Sequence, residues 1–278
     1  MPLIVQVPAS TTNLGPGFDC LGAALELWNR IEIEKGNASP KYPEVVSSAA
    51  DHFFRATGIS PFGFRFEIAG KVPRARGLGS SATLRLGVLL GLNALADEPA
   101  NREQLFHLCA ELEGHPDNAA AACYGGFTIV RQGQVSRFDI DSSLRFVLFV
   151  PEIEVKTDEA RRLLPQAYTR EAVIQNLANV SWIAASFASK DYQKLRNVFG
   201  DSVHQPYRKP LVPFLDRVIE AGTEAGALGG FLSGSGSTIA CLTTERPEEV
   251  AAAMLKAAPE VQAETLIVGA DNLGARIL

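Results

Sequence analysis

The sequence predicts an α+β protein, on three observations. Segments of period-two alternation mark half-buried strands, helical apolar patterns lie between them, and the two kinds are interspersed without the regular βαβ alternation of a parallel sheet. Residues 25–33 are the clearest strand, with Leu25, Leu27, Ile31 and Ile33 on one face and Glu26, Arg30 and Glu32 on the other; one polar face is the mark of antiparallel pairing. Phe62, Phe64, Phe66 and Ile68 repeat the alternation against Gly63, Arg65 and Glu67. Residues 82–96 are apolar nearly all round, with Arg85 the lone charge, and predict a helix buried inside the fold. Residues 102–112 open on Asn101 as N-cap with Gln104 in the capping-box position, then place Leu105, Leu108, Cys109 and Leu112 at helical spacing.

Phe127–Val130 and Val135–Ile140 flank Arg-Gln-Gly-Gln as a hairpin. The apolar run 146–150 predicts a buried strand, and a later helix carries Val173, Leu177, Val180, Ala184 and Phe187 along one stripe. A glycine-rich turn and strand follow at 229–242, a helix at 248–257, and strands at 265–268 and 275–278. No linker or repeat interrupts the chain. The expected division is soft, at about residue 142, giving an N-terminal unit of 1–142 and a C-terminal unit of 143–278.

The chain has 278 residues, 46% hydrophobic and 21% charged, enough for one large or two modest domains and for a core that needs no disulfides. A net charge of −5 argues against a protein built to hold nucleic acid, which needs a clustered basic face. No apolar run is long enough to span a bilayer, and the segment after Met1 lacks a signal-peptide pattern. Cys20, Cys109, Cys123 and Cys241 stand far apart, with no CxxC pair to indicate a zinc site or disulfide framework. A cytoplasmic protein is expected.

Three glycine-rich stretches carry the chemistry. In Pro73-Arg74-Ala75-Arg76-Gly77-Leu78-Gly79-Ser80-Ser81-Ala82-Thr83, glycines allow close backbone approach and the loop runs straight into a helix. The free N–H groups of such a helix start attract anions. It is not the GxxxxGK[ST] pattern, because no lysine follows the glycines; a loop in which Ser80 or Ser81 merely caps the helix is the plain alternative. Pro8 to Asp19 puts the Asn13 amide and the Asp19 carboxylate around a Gly-Pro-Gly turn, suited to a small polar substrate or simply to satisfying turn backbone. Leu232-Ser233-Gly234-Ser235-Gly236-Ser237-Thr238, read alone, is only a flexible turn. Glu113 lies on the apolar face of its helix, where a carboxylate is costly unless paired or metal-bound.

In this order the stretches resemble the motifs of the GHMP kinases (galacto-, homoserine, mevalonate and phosphomevalonate kinases), most nearly the homoserine kinase family. Pro8 to Leu27 follows PASxANLGPGFDxLGxALxL, Glu113–Asn118 reads EGHPDN, and 233–238 is similar to SGSGPT. Thr12 stands where Ala is usual and Ser237 where Pro is usual. The resemblance implies a two-domain fold, with an N-terminal ribosomal-protein-like domain containing a left-handed βαβ crossover and a ferredoxin-like C-terminal domain. It implies transfer of phosphate from ATP to the side-chain hydroxyl of L-homoserine, a step of threonine biosynthesis. Pro73 to Thr83 would bind ATP, and Ser80, Ser81 and Glu113 would hold Mg2+. Asn13, Asp19, Asn118, Ser233 and Gly234 would meet homoserine: Asp19 its ammonium, Asn13 and Asn118 its hydroxyl end. Arg161 and Arg208 would meet its carboxylate, an anion that Arg binds bidentately. The catalytic set is then Asn13, Asn118, Glu113 and Asp117. Asp117 is either a proton acceptor or the cap of the helix after it, and His115 shapes the turn. The family includes homodimers, although the sequence displays no dimer patch. Two rivals stay open: a GHMP kinase of another small alcohol, and a catalytically silent ligand-sensing homologue.

Overall fold

The computed structural model describes residues 2–36 and 42–278. Strands β1 (Leu3–Asn13) and β2 (Gly17–Lys35) form a long antiparallel hairpin that widens twice, between Pro8 and Ala9 and between Thr12 and Asn13. Such bulges bend a strand and re-aim its side chains; here the extra residues of both fall in β2. Helix α1 (Glu44–Thr57) is followed by β3 (Phe64–Gly70), which pairs with the far half of β2. Its alternation fades along the strand: Phe62 precedes it, Phe64 is buried, and Ile68 lies exposed near the edge. Helix α2 (Ser80–Leu95) crosses the sheet and is buried on most sides, as its all-round apolar sequence predicts. Helix α3 (Arg102–Glu113) carries the predicted capping box, with Asn101 and Gln104 exchanging hydrogen bonds. The short α4 (Asp117–Tyr124) leads into β4 (Phe127–Arg131) and β5 (Gln134–Phe138), joined through Gln132 and Gly133, both at positive φ. That is the turn geometry favoured by two-residue hairpins.

The second sheet contains β6 (Arg145–Pro151) at its centre. After it come α5 (Thr157–Arg162), α6 (Arg170–Ser189), α7 (Gln205–Arg208) and α8 (Leu215–Glu224). Then β7 (Gly229–Leu232), β8 (Ile239–Thr243), α9 (Pro247–Ala257) and β9 (Ala263–Val268) complete a four-stranded antiparallel sheet ordered β7-β8-β6-β9. Taken with α8 and α9 this is the βαββαβ pattern of ferredoxin-like units. The last strand, β10 (Arg276–Ile277), returns to pair with β1, so the first sheet is ordered β10-β1-β2-β4-β5 with β3 beside β2.

Apolar clusters fill three layers: one under α1–α3, one between the two sheets, and one under α8 and α9. The middle layer joins the sheets through Leu21, Phe127, Phe146, Phe187 and Phe231, with the Phe127 and Phe187 rings stacked at 4.1 Å. Helix α6 corrects one expectation. Val173 and Leu177 are 41% and 59% exposed, and the buried positions are Asn176, Ile183, Ser186 and Phe187. The second half of the stripe packs as expected, with Phe187 buried and Val180 against the core. The first half turns outward, where a polar residue anchors the helix: the Asn176 amide donates to the Pro16 carbonyl and to Asp201 and accepts from the Ser202 N–H. Among the described residues, no helix is long and apolar enough to cross a membrane.

Candidate functional site

All three glycine-rich stretches meet at the edge between the two sheets. The 73–79 loop is held from both sides: Ser10 N–H donates to the Leu78 carbonyl, Val155 N–H to that of Ala75, and Thr238 N–H to that of Arg76. The Ser233 hydroxyl donates to the Gly77 carbonyl at 2.6 Å and lies 2.7 Å from the Thr11 hydroxyl. Gly77 and Gly79 adopt φ of +72° and +66°. A Cβ on Gly77 would lie 2.1 Å from the Ser233 carbonyl oxygen, and one on Gly79 would lie 2.1 Å from the Ser10 hydroxyl. The glycines are thus required by contact as well as by backbone conformation.

Gly79 itself is the N-cap of α2, and no described side chain caps it. The reading in which Ser80 or Ser81 serves only as a cap therefore falls. The helix start faces a cleft of about 630 Å3 lined by Thr12, Asn13, Asp19, residues 75–81, Glu113, His115, Asp117, Asn118, Arg161, Arg208 and Gly234. Pro73 and Arg74 stand before this lining, and Ala82 and Thr83 lie behind it in the buried first turns of α2. Ser233 is buried beneath it as the clip between Gly77 and Thr11.

The residues expected to meet the substrate are largely fixed by one another. Asn13 donates to the Gly234 carbonyl at 2.9 Å and accepts from the Asp19 N–H at 3.1 Å. Asn118 accepts from the Ser10 hydroxyl at 2.8 Å and donates to Thr12. Both departures from the motif thereby gain a role: the Thr12 hydroxyl accepts from Asn118, and the Ser237 hydroxyl donates to the Ile153 carbonyl. Asp19 and Arg161, expected to meet opposite ends of a substrate, face each other in a bidentate pair of 2.9 and 2.6 Å. Burial pulls the Arg161 pKa down, and the Asp19 hydrogen bonds and charge more than reverse this, leaving it raised. Arg162 beside it points to solvent.

Arg208 is different. Only 2% exposed, it donates through Nη1 to the Gly234 carbonyl at 2.9 Å, its Nε is buried without a partner, and among the described residues no carboxylate pairs with it. Burial and the nearby Arg161 charge push its pKa down to about 10. Both guanidiniums lie 5.2 Å from the Phe18 ring.

The Glu113 side chain is 7% exposed and paired with Arg85 at 2.5 Å, and the same nitrogen of Arg85 donates to the Leu112 carbonyl. The pairing is not legible in the sequence, although Arg85 is the lone charge on its helix and follows Ser81 by one turn. Asp117 is 2% exposed; its Oδ1 accepts from the Asn118 N–H at 2.9 Å and lies 3.1 Å from Nδ1 of His115. Burial lowers the His115 pKa, but the hydrogen bond and charge of Asp117 more than compensate and leave it above 6.5. A raised imidazole pKa stabilises the fold fully below the ordinary value, and the gain fades as pH rises through the raised one. The urea midpoint of His115→Gln should therefore fall furthest below wild type near pH 6 and approach it towards pH 9; a gap that widens with pH would contradict the pair.

Comparison with known proteins agrees with this arrangement. The GHMP kinases N terminal domain matches residues 44–126, and the GHMP kinases C terminal domain matches 183–260. The chain is 35% identical to a homoserine kinase of Caldicellulosiruptor bescii, over 98% of this chain and 96% of that one. It is 41% identical to a homoserine kinase of a Synechococcus species, over 92% and 90%. The crystal structure of homoserine kinase from Cytophaga hutchinsonii superposes with a TM-score of 0.90 at 26% identity, covering 100% of this chain and 97% of that one. The mixed α and β architecture and the two matched domains are those of the GHMP kinase fold. With identity of this order sustained along nearly the whole length, the chain belongs to the homoserine kinase family of the GHMP kinases.

Proposed function

We propose that the cleft transfers the terminal phosphate of ATP to the side-chain hydroxyl of L-homoserine, giving ADP and O-phospho-L-homoserine. The observation that carries this reading is Arg208, a buried guanidinium without a carboxylate partner, in the same cleft as an uncapped helix start. A buried cation of that kind favours an anionic ligand group, and the α-carboxylate of an amino acid is one that a guanidinium binds bidentately. Curated relatives bearing the name homoserine kinase span the chain and support the same substrate. Mevalonate also carries a carboxylate, but the Asp19 carboxylate near Arg208 suits the ammonium group that mevalonate lacks.

In this account the loop 73–79 and the first turn of α2 cradle the phosphates, with backbone N–H groups and the Ser80 and Ser81 hydroxyls as donors. Arg208 takes the carboxylate. Asp19 takes the ammonium, with Arg161 holding its carboxylate in place. Asn13, Asn118 and the Gly234 backbone fix the walls of the pocket, and Asn118 stands beside Gly79 of the loop, where the reacting hydroxyl belongs. Phosphoryl transfer asks mainly for alignment and charge neutralisation, because its transition state is loose and anionic. Asp117 already accepts from Asn118 and His115, so we assign it to holding that end of the cleft. The hydroxyl proton then leaves with the transferred phosphate or passes to solvent.

Ser80, Ser81 and Glu113 line the cleft with hydroxyl and carboxylate oxygens, the hard donors that Mg2+ prefers. Glu113 keeps acceptor capacity beyond its bond to Arg85, since a carboxylate offers about four lone-pair sites. The set fits Mg2+, which would neutralise charge on the ATP phosphates. The same reading retains the division at about residue 142, places the enzyme in the cytoplasm, and requires neither nucleic acid nor membrane. Product identification tests it: 31P NMR of the reaction with homoserine should show a new phosphomonoester coupled to the γ-methylene protons. Release of inorganic phosphate alone would refute it.

A further inference from the structure

Arg208 is held by a residue to which the reaction gives no role. His204 is wholly buried and sits four positions before Arg208, on the same side of a helical turn. Its Nε2 lies 2.7 Å from the Gly15 carbonyl, and its Nδ1 lies 3.3 Å from Nη1 of Arg208. A carbonyl only accepts and a guanidinium only donates, so the two contacts fix a single form: proton on Nε2, lone pair on Nδ1, ring neutral. Burial, aided by the Arg208 charge and opposed by that of Asp201, lowers the imidazole pKa and keeps the ring in that form. Asp201 in turn accepts the N–H groups of Val203, His204 and Gln205, which pins the turn that carries the ring. Phe18 stacks on His204 at 5.2 Å and presents its ring to Arg208 at the same distance. Through His204 the guanidinium is therefore tied to Gly15, in the turn between Asn13 at the end of β1 and Asp19 near the start of β2.

We propose that His204 is a positioning residue: by accepting from Arg208 at Nδ1 and donating from Nε2 to Gly15, it sets the guanidinium against the substrate-binding turn and thereby sets the preference for a substrate bearing an α-carboxylate. The inference rests on the assignment of Arg208 to that carboxylate. A mispointed guanidinium keeps its charge and loses the alignment that bidentate binding needs.

Two amide substitutions separate the two contacts. His204→Asn places an amide oxygen near the position of Nδ1 and keeps the acceptor for Arg208. His204→Gln places an amide nitrogen near the position of Nε2 and keeps the donor to Gly15, while Arg208 loses its acceptor. The readout is the ratio of kcat/KM for L-homoserine to that for 3-aminopropan-1-ol, which is homoserine without its carboxylate. A general loss of folded enzyme cancels in this ratio. His204→Gln should reduce it by roughly 5- to 10-fold, the size of one hydrogen bond, with the KM for ATP unchanged; His204→Asn should stay within about threefold of wild type. Equal losses in both variants, or none in His204→Gln, would overturn the positioning role. Arg208→Ala runs in parallel: if it collapses the ratio while His204→Gln does not, only the inference about His204 fails. If Arg208→Ala leaves the ratio intact, the carboxylate assignment fails and takes the inference with it. Should His204→Gln not fold, wild-type protein labelled with 15N-histidine decides the matter. An unprotonated Nδ1 at His204 that shifts on adding homoserine supports the role, and a protonated or unresponsive Nδ1 refutes it.

Discussion

Replacing Glu113 with glutamine should lower kcat on the order of 100- to 1,000-fold at saturating Mg-ATP and homoserine. That is the usual cost of removing one preorganised charge partner of an anionic transition state. Gln keeps the shape of the side chain and loses the negative charge that suits both Mg2+ and Arg85. The Arg85 guanidinium would then lose its ion pair, but it is 21% exposed and still donates to the Leu112 carbonyl. The fold should therefore survive, with Tm lower by a few degrees, about 1–2 kcal/mol of stability. A folded variant with kcat near wild type would remove Glu113 from the phosphate end of the cleft.

The second large effect lies at the other end. Arg208→Ala should raise the KM for homoserine by roughly 10- to 150-fold, as expected when a charge-assisted hydrogen bond of about 1.5–3 kcal/mol is lost. Some loss of kcat should accompany it where carboxylate anchoring also aligns the hydroxyl. The KM for ATP should hardly move, because the phosphates are assigned to residues 77–81. No ion pair is broken by this change, since Arg208 has none among the described residues. Arg162→Ala serves as the control: it neighbours Arg161 on α5 but points to solvent, so it should leave both KM values near wild type. A larger effect of Arg208→Ala on the KM for ATP would place its loop on the nucleotide side.

The sequence reveals the elements whose apolar pattern and packing agree. The capping box at Asn101 and Gln104, the buried α2 and the 127–138 hairpin are each set by local chemistry, and each forms where its signal lies. Helix α6 escapes that logic because the residue anchoring its buried face is Asn176, whose amide satisfies backbone and carboxylate groups from two distant loops. No apolar periodicity marks such a position. The strand expected at 275–278 does form as β10, but nothing local marks its return to pair with β1 in the first sheet.

At the site, the glycine-rich stretches are legible because a glycine forced by backbone contact leaves a motif. Pairings between distant charges leave none. Arg85 with Glu113 and Asp19 with Arg161 depend on the relative placement of helices and loops. Two pairings at the site carry a partial hint: Arg85 is the lone charge on its helix, and His204 precedes Arg208 by one turn. Phe18, whose ring the Arg161 and Arg208 guanidiniums both approach, carries no sign of that contact in the sequence.

Under the proposed function, an uncapped helix start and an arginine suited to a carboxylate share one cleft in order to phosphorylate an amino acid. The most direct measurement is ADP release with Mg-ATP across L-homoserine, mevalonate, galactose and shikimate, compared as kcat/KM. The account predicts that homoserine exceeds each of the others by at least about 100-fold, the consequence of losing either the ammonium or the carboxylate contact. Faster turnover of mevalonate or galactose than of homoserine would contradict it.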